Sequence, residues 1–195
     1  MKRRELFKSA MAAGLGASFS VASAAAQTKQ HYLTLEWFRS RNDLDTQRLR
    51  DFLGNGTLPA YNRAGVKPVG LFQISVGPDS PSVLMLAQYP SLAGLEQARV
   101  RLEEDKKWAG ELSAFDEKWE LAYERRESWL LRAFKTFPTI EIPKVEGGKT
   151  NLFELRMYES RNAQAHERKV AMFDGGEIDI FRLSLIHISE PTRPY

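Results

Sequence analysis

Residues 31–42 read His-Tyr-Leu-Thr-Leu-Glu-Trp-Phe-Arg-Ser-Arg-Asn. Leu33, Leu35 and Trp37 alternate with Tyr32, Thr34, Glu36 and Phe38. A period of two places the first set on one face of a strand and the second on the other, so one face is wholly apolar and the other mixed. Asn42 or Asp43 then caps a helix carrying Leu44, Leu49, Phe52 and Leu53, which is interrupted at Gly54-Asn55-Gly56 and runs on to a stop at Gly65.

Outward from this unit, residues 66–76 and 83–89 flank Gly77-Pro78-Asp79-Ser80-Pro81 and read as two strands joined by a turn. Residues 91–127 predict one or two helices, with Ser91 as cap, Leu92, Leu95, Ala98 and Leu102 on one stripe, and a break near Gly110. Residues 129–134 supply a last strand. The order β-α-β-β-α-β is the ferredoxin-like arrangement, an α+β fold with helices on one face of an antiparallel sheet. The other face needs cover, and a second copy of the same domain provides it in the dimeric α/β-barrel type.

That second copy is in the sequence. Residues 151–162, Asn-Leu-Phe-Glu-Leu-Arg-Met-Tyr-Glu-Ser-Arg-Asn, lie over 31–42 at an offset of 120. Leu35/Leu155, Ser40/Ser160, Arg41/Arg161 and Asn42/Asn162 are identical, and the offset continues without a gap through Phe52/Met172, Leu53/Phe173, Gly56/Gly176 and Tyr61/Phe181. The expected organisation is a first domain over 31–136, a linker at 137–150 punctuated by Pro138, Pro143 and Gly147-Gly148, and the start of a second domain over 151–182. From 183 to 195 the repeat is lost, and those 13 residues resemble the translated end of a transposon sequencing adaptor. A strand near 152–158 without neighbours is expected to leave a pairing edge through which the chain associates.

Composition bounds the chemistry. With no cysteine among 195 residues, disulfides, Cys-based zinc sites, iron–sulfur clusters and thiol nucleophiles are excluded. The chain counts 28 Lys and Arg against 25 Asp and Glu. Lys2, Arg3, Arg4, Lys8 and Glu5 all fall in residues 1–26, so the remainder carries no net charge. A neutral remainder has no electrostatic footprint for nucleic acid, and none is expected as a partner.

Residues 1–26 have a basic start, a weakly apolar run and small residues at Ala22-Ser23-Ala24 or Ala24-Ala25-Ala26. Arg3-Arg4-Glu5-Leu6-Phe7-Lys8 resembles a twin-arginine export signal with Phe and Leu exchanged. The resemblance implies a folded cargo delivered to the periplasm of a bacterium, with no membrane attachment once the signal is cleaved. The alternative is a short uncleaved anchor.

Phe153-Glu154-Leu155-Arg156-Met157-Tyr158, followed by a helix over 162–173 containing His166-Glu167-Arg168-Lys169, resembles the NIPSNAP family. So do Leu58-Pro59-Ala60-Tyr61, the run Gly65-Val66-Lys67-Pro68-Val69-Gly70-Leu71-Phe72 and the segment from Asp105 to Trp108. The resemblance spans about residues 30–182 and rests on core positions. It implies a ferredoxin-like dimeric barrel and no defined activity.

Catalytic signatures are absent from the sequence. His31 and His166 have no second histidine at helical spacing, no phosphate-binding loop occurs, and no serine sits in a nucleophile elbow. No metal and no cofactor are expected. Trp108, Trp119 and Trp129 read as packing residues, and the run Glu103-Glu104-Asp105-Lys106-Lys107 as a solvated helix face. If the two copies pair through their sheets, Glu36, Phe38 and Thr34 share an interior with Glu154, Arg156 and Tyr158. Glu36 and Arg156 are then equivalent positions of opposite charge, either lining a pocket for a small organic ligand together with Tyr61 or forming an interface ion pair. Three functions follow as expectations: a ligand-binding or assembly module acting as a pseudo-dimer or homodimer, a cofactor-independent monooxygenase- or isomerase-like enzyme using His31, Tyr61 or Glu36 for proton transfer, and a structural protein of the envelope.

Overall fold

The computed structural model describes residues 29–77, 79–118, 122–142, 152–183 and 192–194. The leader at 1–26, Trp119, linker residues 143–150 and most of the 183–195 tail, with His187 and Tyr195, lie outside these residues.

β1 (Tyr32–Arg39) forms where the alternation predicts it and lies inside the sheet, antiparallel to β3 (Ser82–Tyr89) on one side and to β4 (Arg125–Ala133) on the other. β2 (Val69–Ile74) pairs with the outer side of β3, and β5 (Thr192–Pro194) adds three residues against the end of β4. The order β2-β3-β1-β4 with helices between β1 and β2 and between β3 and β4 is ferredoxin-like. The sheet is open, and no barrel closes within the described residues.

The first helical unit consists of α1 (Asp43–Phe52), a π-helical turn (Leu53–Thr57) and α2 (Leu58–Arg63). Asn42 is the cap: its Oδ1 accepts the Asp45 backbone N–H at 2.9 Å. The Gly54-Asn55-Gly56 interruption is this π turn, and at Gly56 an added Cβ would lie 3.3 Å from Glu111 Oε2 and 3.4 Å from the Phe52 ring, so a larger residue there requires those side chains to give by a few tenths of an ångström. Gly65, at φ +84°, ends the unit in the left-handed conformation expected of a stop.

α3 (Leu92–Glu104) starts at Ser91, whose Oγ accepts from the Gly94 N–H at 3.0 Å. The break before α4 (Lys106–Lys118) falls at Asp105 rather than near Gly110. Asp105 Oδ1 accepts the Trp108 N–H at 3.0 Å and restarts the helix, whereas an exposed glycine inside a helix costs only about 1 kcal/mol and does not break it.

The wholly apolar face of β1 packs Leu33, Leu35 and Trp37 with Leu84, Leu86 and Leu131. On the mixed face, Phe38, Val83 and Met85 meet Leu49, Leu53 and Phe115 of the helices, and Ala87 and Tyr89 meet Ala60, Ala64 and Leu102. Thr34, Glu36 and Phe38 therefore lie beneath the helices between β1 and β4, not in an interior shared with Glu154, Arg156 and Tyr158. Every second residue of β3 on that side is apolar, which gives the helices a surface to bury and leaves Glu36 as a polar intrusion.

In the second half, α5 (Ala163–Met172), a second π turn (Phe173–Glu177) and α6 (Ile178–Leu183) have the bounds of the first helical unit shifted by 120. Asn162 repeats the cap, accepting from the Ala165 N–H at 2.9 Å. This unit docks on the segment that follows β4: Ile178 packs with Phe134 and Phe137, and Thr136 donates from N and Oγ1 to Asp174 Oδ1 at 3.1 and 3.0 Å. Phe137, at the start of the expected linker, is thus buried. Residues 152–160 form no strand. β1 is held by two flanking strands, and nothing among the described residues plays that part for 152–160.

Candidate functional site

The pleat and the β1–β4 register set the site. Glu36 lies opposite Ser128 and Phe38 opposite Arg126, all on the helix-facing side. Glu36 is 7 % exposed. A carboxylate withdrawn this far from water needs charge or hydrogen-bond compensation. It receives both: Arg126 Nε donates to Glu36 Oε2 at 2.8 Å, and Ser128 Oγ donates to the same oxygen at 2.5 Å. The Arg126 guanidinium also lies over the Phe38 ring, 5.5 Å from its centroid, and on the other face Arg39 lies over Trp37 at 5.4 Å.

Two tyrosines complete the cluster. Burial raises the Tyr61 phenol well above its ordinary value, with further upward pressure from Tyr89 and Glu36 that Arg126 and Arg99 only partly offset. Burial raises Tyr89 as well, against a hydrogen bond with Thr34. Both phenols stay protonated at neutral pH and act as donors. For Arg126, burial alone would lower the pKa, but the hydrogen bond and charge of Glu36 outweigh it and hold the guanidinium charged. Thr57, on the π turn one helical turn before Tyr61, keeps a buried hydroxyl with no hydrogen-bond partner; such turns recur at functional sites.

The cluster grades from interior to solvent. Glu36 is enclosed, while the Arg126 side chain is 48 % exposed and Ser128 is exposed beside it. Arg126 and Ser128 lie on the part of β4 whose outer edge is unpaired among the described residues, since β5 pairs only with residues 131–133. Chemically the arrangement offers protonated phenol and guanidinium donors above a fixed carboxylate, with the Phe38 and Tyr123 rings, 5.3 Å apart, as an aromatic wall.

Of the residues singled out in the sequence, Glu36, Phe38 and Tyr61 come together here. Arg156 and Tyr158 do not. Arg156 pairs with Glu154 at 2.8 Å on the surface, which raises its pKa, and Tyr158 stacks edge-on with Phe173 at 5.5 Å. The partner of Glu36 is Arg126, not Arg156, because residues 152–160 do not join the sheet. His31 precedes β1, five residues and about 17 Å of strand from Glu36. Burial and Lys29 lower its pKa, and it takes no part in the cluster.

Arg126, Ser128 and Tyr89 were not singled out. Extending the last predicted strand back from 129 to 125 exposes the signal, since Arg126 and Ser128 then alternate with Glu127 and Trp129 on one face. Among the described residues, no group of three or more His, Asp and Glu side chains is placed to hold a metal ion, and no helix is long and apolar enough to cross a membrane.

Comparison with known proteins gives a partial identity. No curated protein sequence matches the chain. Among solved structures, it is similar to a NIPSNAP family protein with unknown function from Agrobacterium tumefaciens strain C58, at 16 % identity and TM-score 0.44 over 53 % of this chain and 88 % of that one. A second NIPSNAP family protein from the same organism is 21 % identical, with TM-score 0.45 over 55 % of this chain and 97 % of that one. A protein described as dimeric and ferredoxin-like, from an uncultured marine organism, is 16 % identical, with TM-score 0.40 over 53 % of this chain and 94 % of that one. The family model for NIPSNAP matches residues 43–136, the stretch from α1 to just beyond β4, and over those residues the chain is similar to the NIPSNAP family.

Proposed function

We propose that the chain is an exported, self-associating module that binds a small organic molecule bearing an oxygen acceptor in the layer between sheet and helices. The observation that carries this reading is Glu36: a carboxylate 7 % exposed in a mainly apolar layer, joined to the half-exposed Arg126 and flanked by the protonated Tyr61. A packing layer gains nothing from this arrangement that a hydrophobic replacement would not supply. A ligand site gains a fixed dipole with donors facing outward.

Export rests on the twin-arginine-like segment at 3–8. The tandem organisation rests on the 120-residue offset, which extends from the sequence to the bounds of both helical units and to both asparagine caps. The second reading, a cofactor-independent barrel-type enzyme, is favoured by the electrostatic coupling of the Tyr61 phenol to Glu36.

The test is a thermal-shift screen of the full chain against a library of small carboxylates, phenols and ketones, run in parallel on Arg126→Met. Compounds that stabilise the wild type and lose their effect on Arg126→Met support the site. A library that stabilises both proteins equally contradicts it. Turnover of a stabilising compound distinguishes the enzyme from the binder.

A further inference from the structure

In the first domain, Leu33, Leu35 and Trp37 are 2–6 % exposed, enclosed by β3 and β4. Their counterparts at the offset of 120, Phe153, Leu155 and Met157, are 39–56 % exposed, and Leu152 and Tyr158 beside them are exposed as well. The side chains of Glu154 and Arg156, two residues apart, meet at 2.8 Å, the same-side contact that the two-residue period of an extended chain provides. A strand-forming sequence thus lies at the surface with no strand partner among the described residues.

We propose that residues 152–158 of two copies of this chain pair as antiparallel strands about a twofold axis at Leu155. The sequence Leu-Phe-Glu-Leu-Arg-Met-Tyr is complementary to itself in this one register. Leu155 meets Leu155 of the second copy. Glu154 lies opposite Arg156 and Arg156 opposite Glu154, so both charge pairs are matched across the axis. Phe153 lies opposite Met157, and Leu152 opposite Tyr158, so each apolar residue meets another. A shift by one pairing position sets each charge against an apolar residue, Glu154 against Leu155 and Arg156 against Phe153, and loses both charge pairs, since a slip of one residue turns each side chain to the other face. The interface is isologous, as a closed dimer requires. The proposal rests on the self-association named above and assigns it a surface and a register.

The chain contains no cysteine, which allows a direct test on the full chain. Facing Cβ atoms at the axis stand about 4.5–5.5 Å apart, close to disulfide reach, whereas Phe153 lies four positions, about 14 Å, from its own copy. Leu155→Cys is expected to form a covalent dimer under mild oxidation, and Phe153→Cys to form little. In sedimentation equilibrium, Glu154→Arg and Arg156→Glu each weaken the dimer about tenfold, and the double exchange restores it to within about threefold of wild type. Circular dichroism and urea unfolding of the Leu155, Glu154 and Arg156 variants are expected to match the wild type, because these side chains are exposed outside the sheet. Phe153 packs edge-on against Phe72 of β2 at 5.3 Å, so Phe153→Cys is compared with Phe153→Ala to separate loss of that contact from loss of pairing. A wild-type monomer overturns both the surface and the self-association. A wild-type dimer in which Leu155→Cys and Phe153→Cys cross-link equally, or in which the double exchange stays as weak as the single ones, leaves the self-association standing and overturns this register.

Discussion

Glu36 and Arg126 meet diagonally across the β1–β4 seam. Arg126 stands opposite Phe38, two residues along from Ser128, the register partner of Glu36, and its Nε reaches Glu36 Oε2 at 2.8 Å. The first residue is enclosed and the second opens to solvent, so the pair spans the wall between the helix-covered layer and the surface.

Glu36→Gln keeps an acceptor for Ser128 but leaves the Arg126 charge unpaired over an apolar layer. Because Arg126 is half exposed, water recovers part of the loss, and the expected destabilisation is about 1–2 kcal/mol rather than the larger cost of a fully buried broken pair. Urea unfolding of Glu36→Gln, Arg126→Gln and the double variant measures it. The double variant should cost less than the sum of the singles, the mark of direct coupling.

Stability should fall at alkaline pH through Tyr61 and Tyr89. Both phenols have pKa values raised by burial above the unfolded value of about 10. Their contribution is complete below pH 10. Above it the unfolded chain releases the protons first, and each group then costs up to about 1.4 kcal/mol per pH unit until its own folded pKa is passed. Tyr61→Phe and Tyr89→Phe should each flatten the decline, read by urea midpoints across the alkaline range and by ultraviolet tyrosinate titration.

Much of the fold over residues 32–133 was legible because its signals are local. The alternation of 32–39, a cap at Asn42 or Asp43 and the stop at Gly65 each depend on a few adjacent residues; the strand and the stop stand where the sequence placed them, and of the two cap candidates the structure uses Asn42. The site was less legible. Arg126 lies 90 residues from Glu36 in the chain and reaches it only through a strand register that no local pattern specifies. Which face of β1 the helices cover also escaped the sequence, since Trp37 and Phe38 are both aromatic and either face could seek cover. Residues 152–158 resemble β1 in pattern, yet a strand is made by its neighbours as much as by its own residues.

The two asparagine caps offer a contrast. Asn42→Ala removes a hydrogen bond at the head of a helix whose Leu49 is buried in the core, and should cost about 1 kcal/mol of global stability. Asn162→Ala acts on a helix with no buried residue of its own, so its effect should stay local. Hydrogen exchange resolved along the chain should show faster exchange confined to 163–172 in the second variant, with an unchanged unfolding midpoint for the first domain.

Leu49→Ala should cost about 2–5 kcal/mol, since Leu49 is 1 % exposed between Phe38, Leu53 and Phe115 and its removal leaves a cavity. Lys169→Ala, at the equivalent position of the second helical unit, should change stability by less than about 0.5 kcal/mol. Thermal or urea unfolding of the two variants checks both values.

The layer around Glu36 is proposed to hold a small molecule. Untargeted mass spectrometry of compounds released from full-length protein after exposure to a bacterial metabolite extract tests it most directly, with Arg126→Met treated in parallel. One or a few oxygen-bearing compounds are expected to be enriched on the wild type and depleted at least about tenfold on Arg126→Met, with both proteins equally folded. Identical profiles for the two proteins, or no enrichment on either, would contradict it.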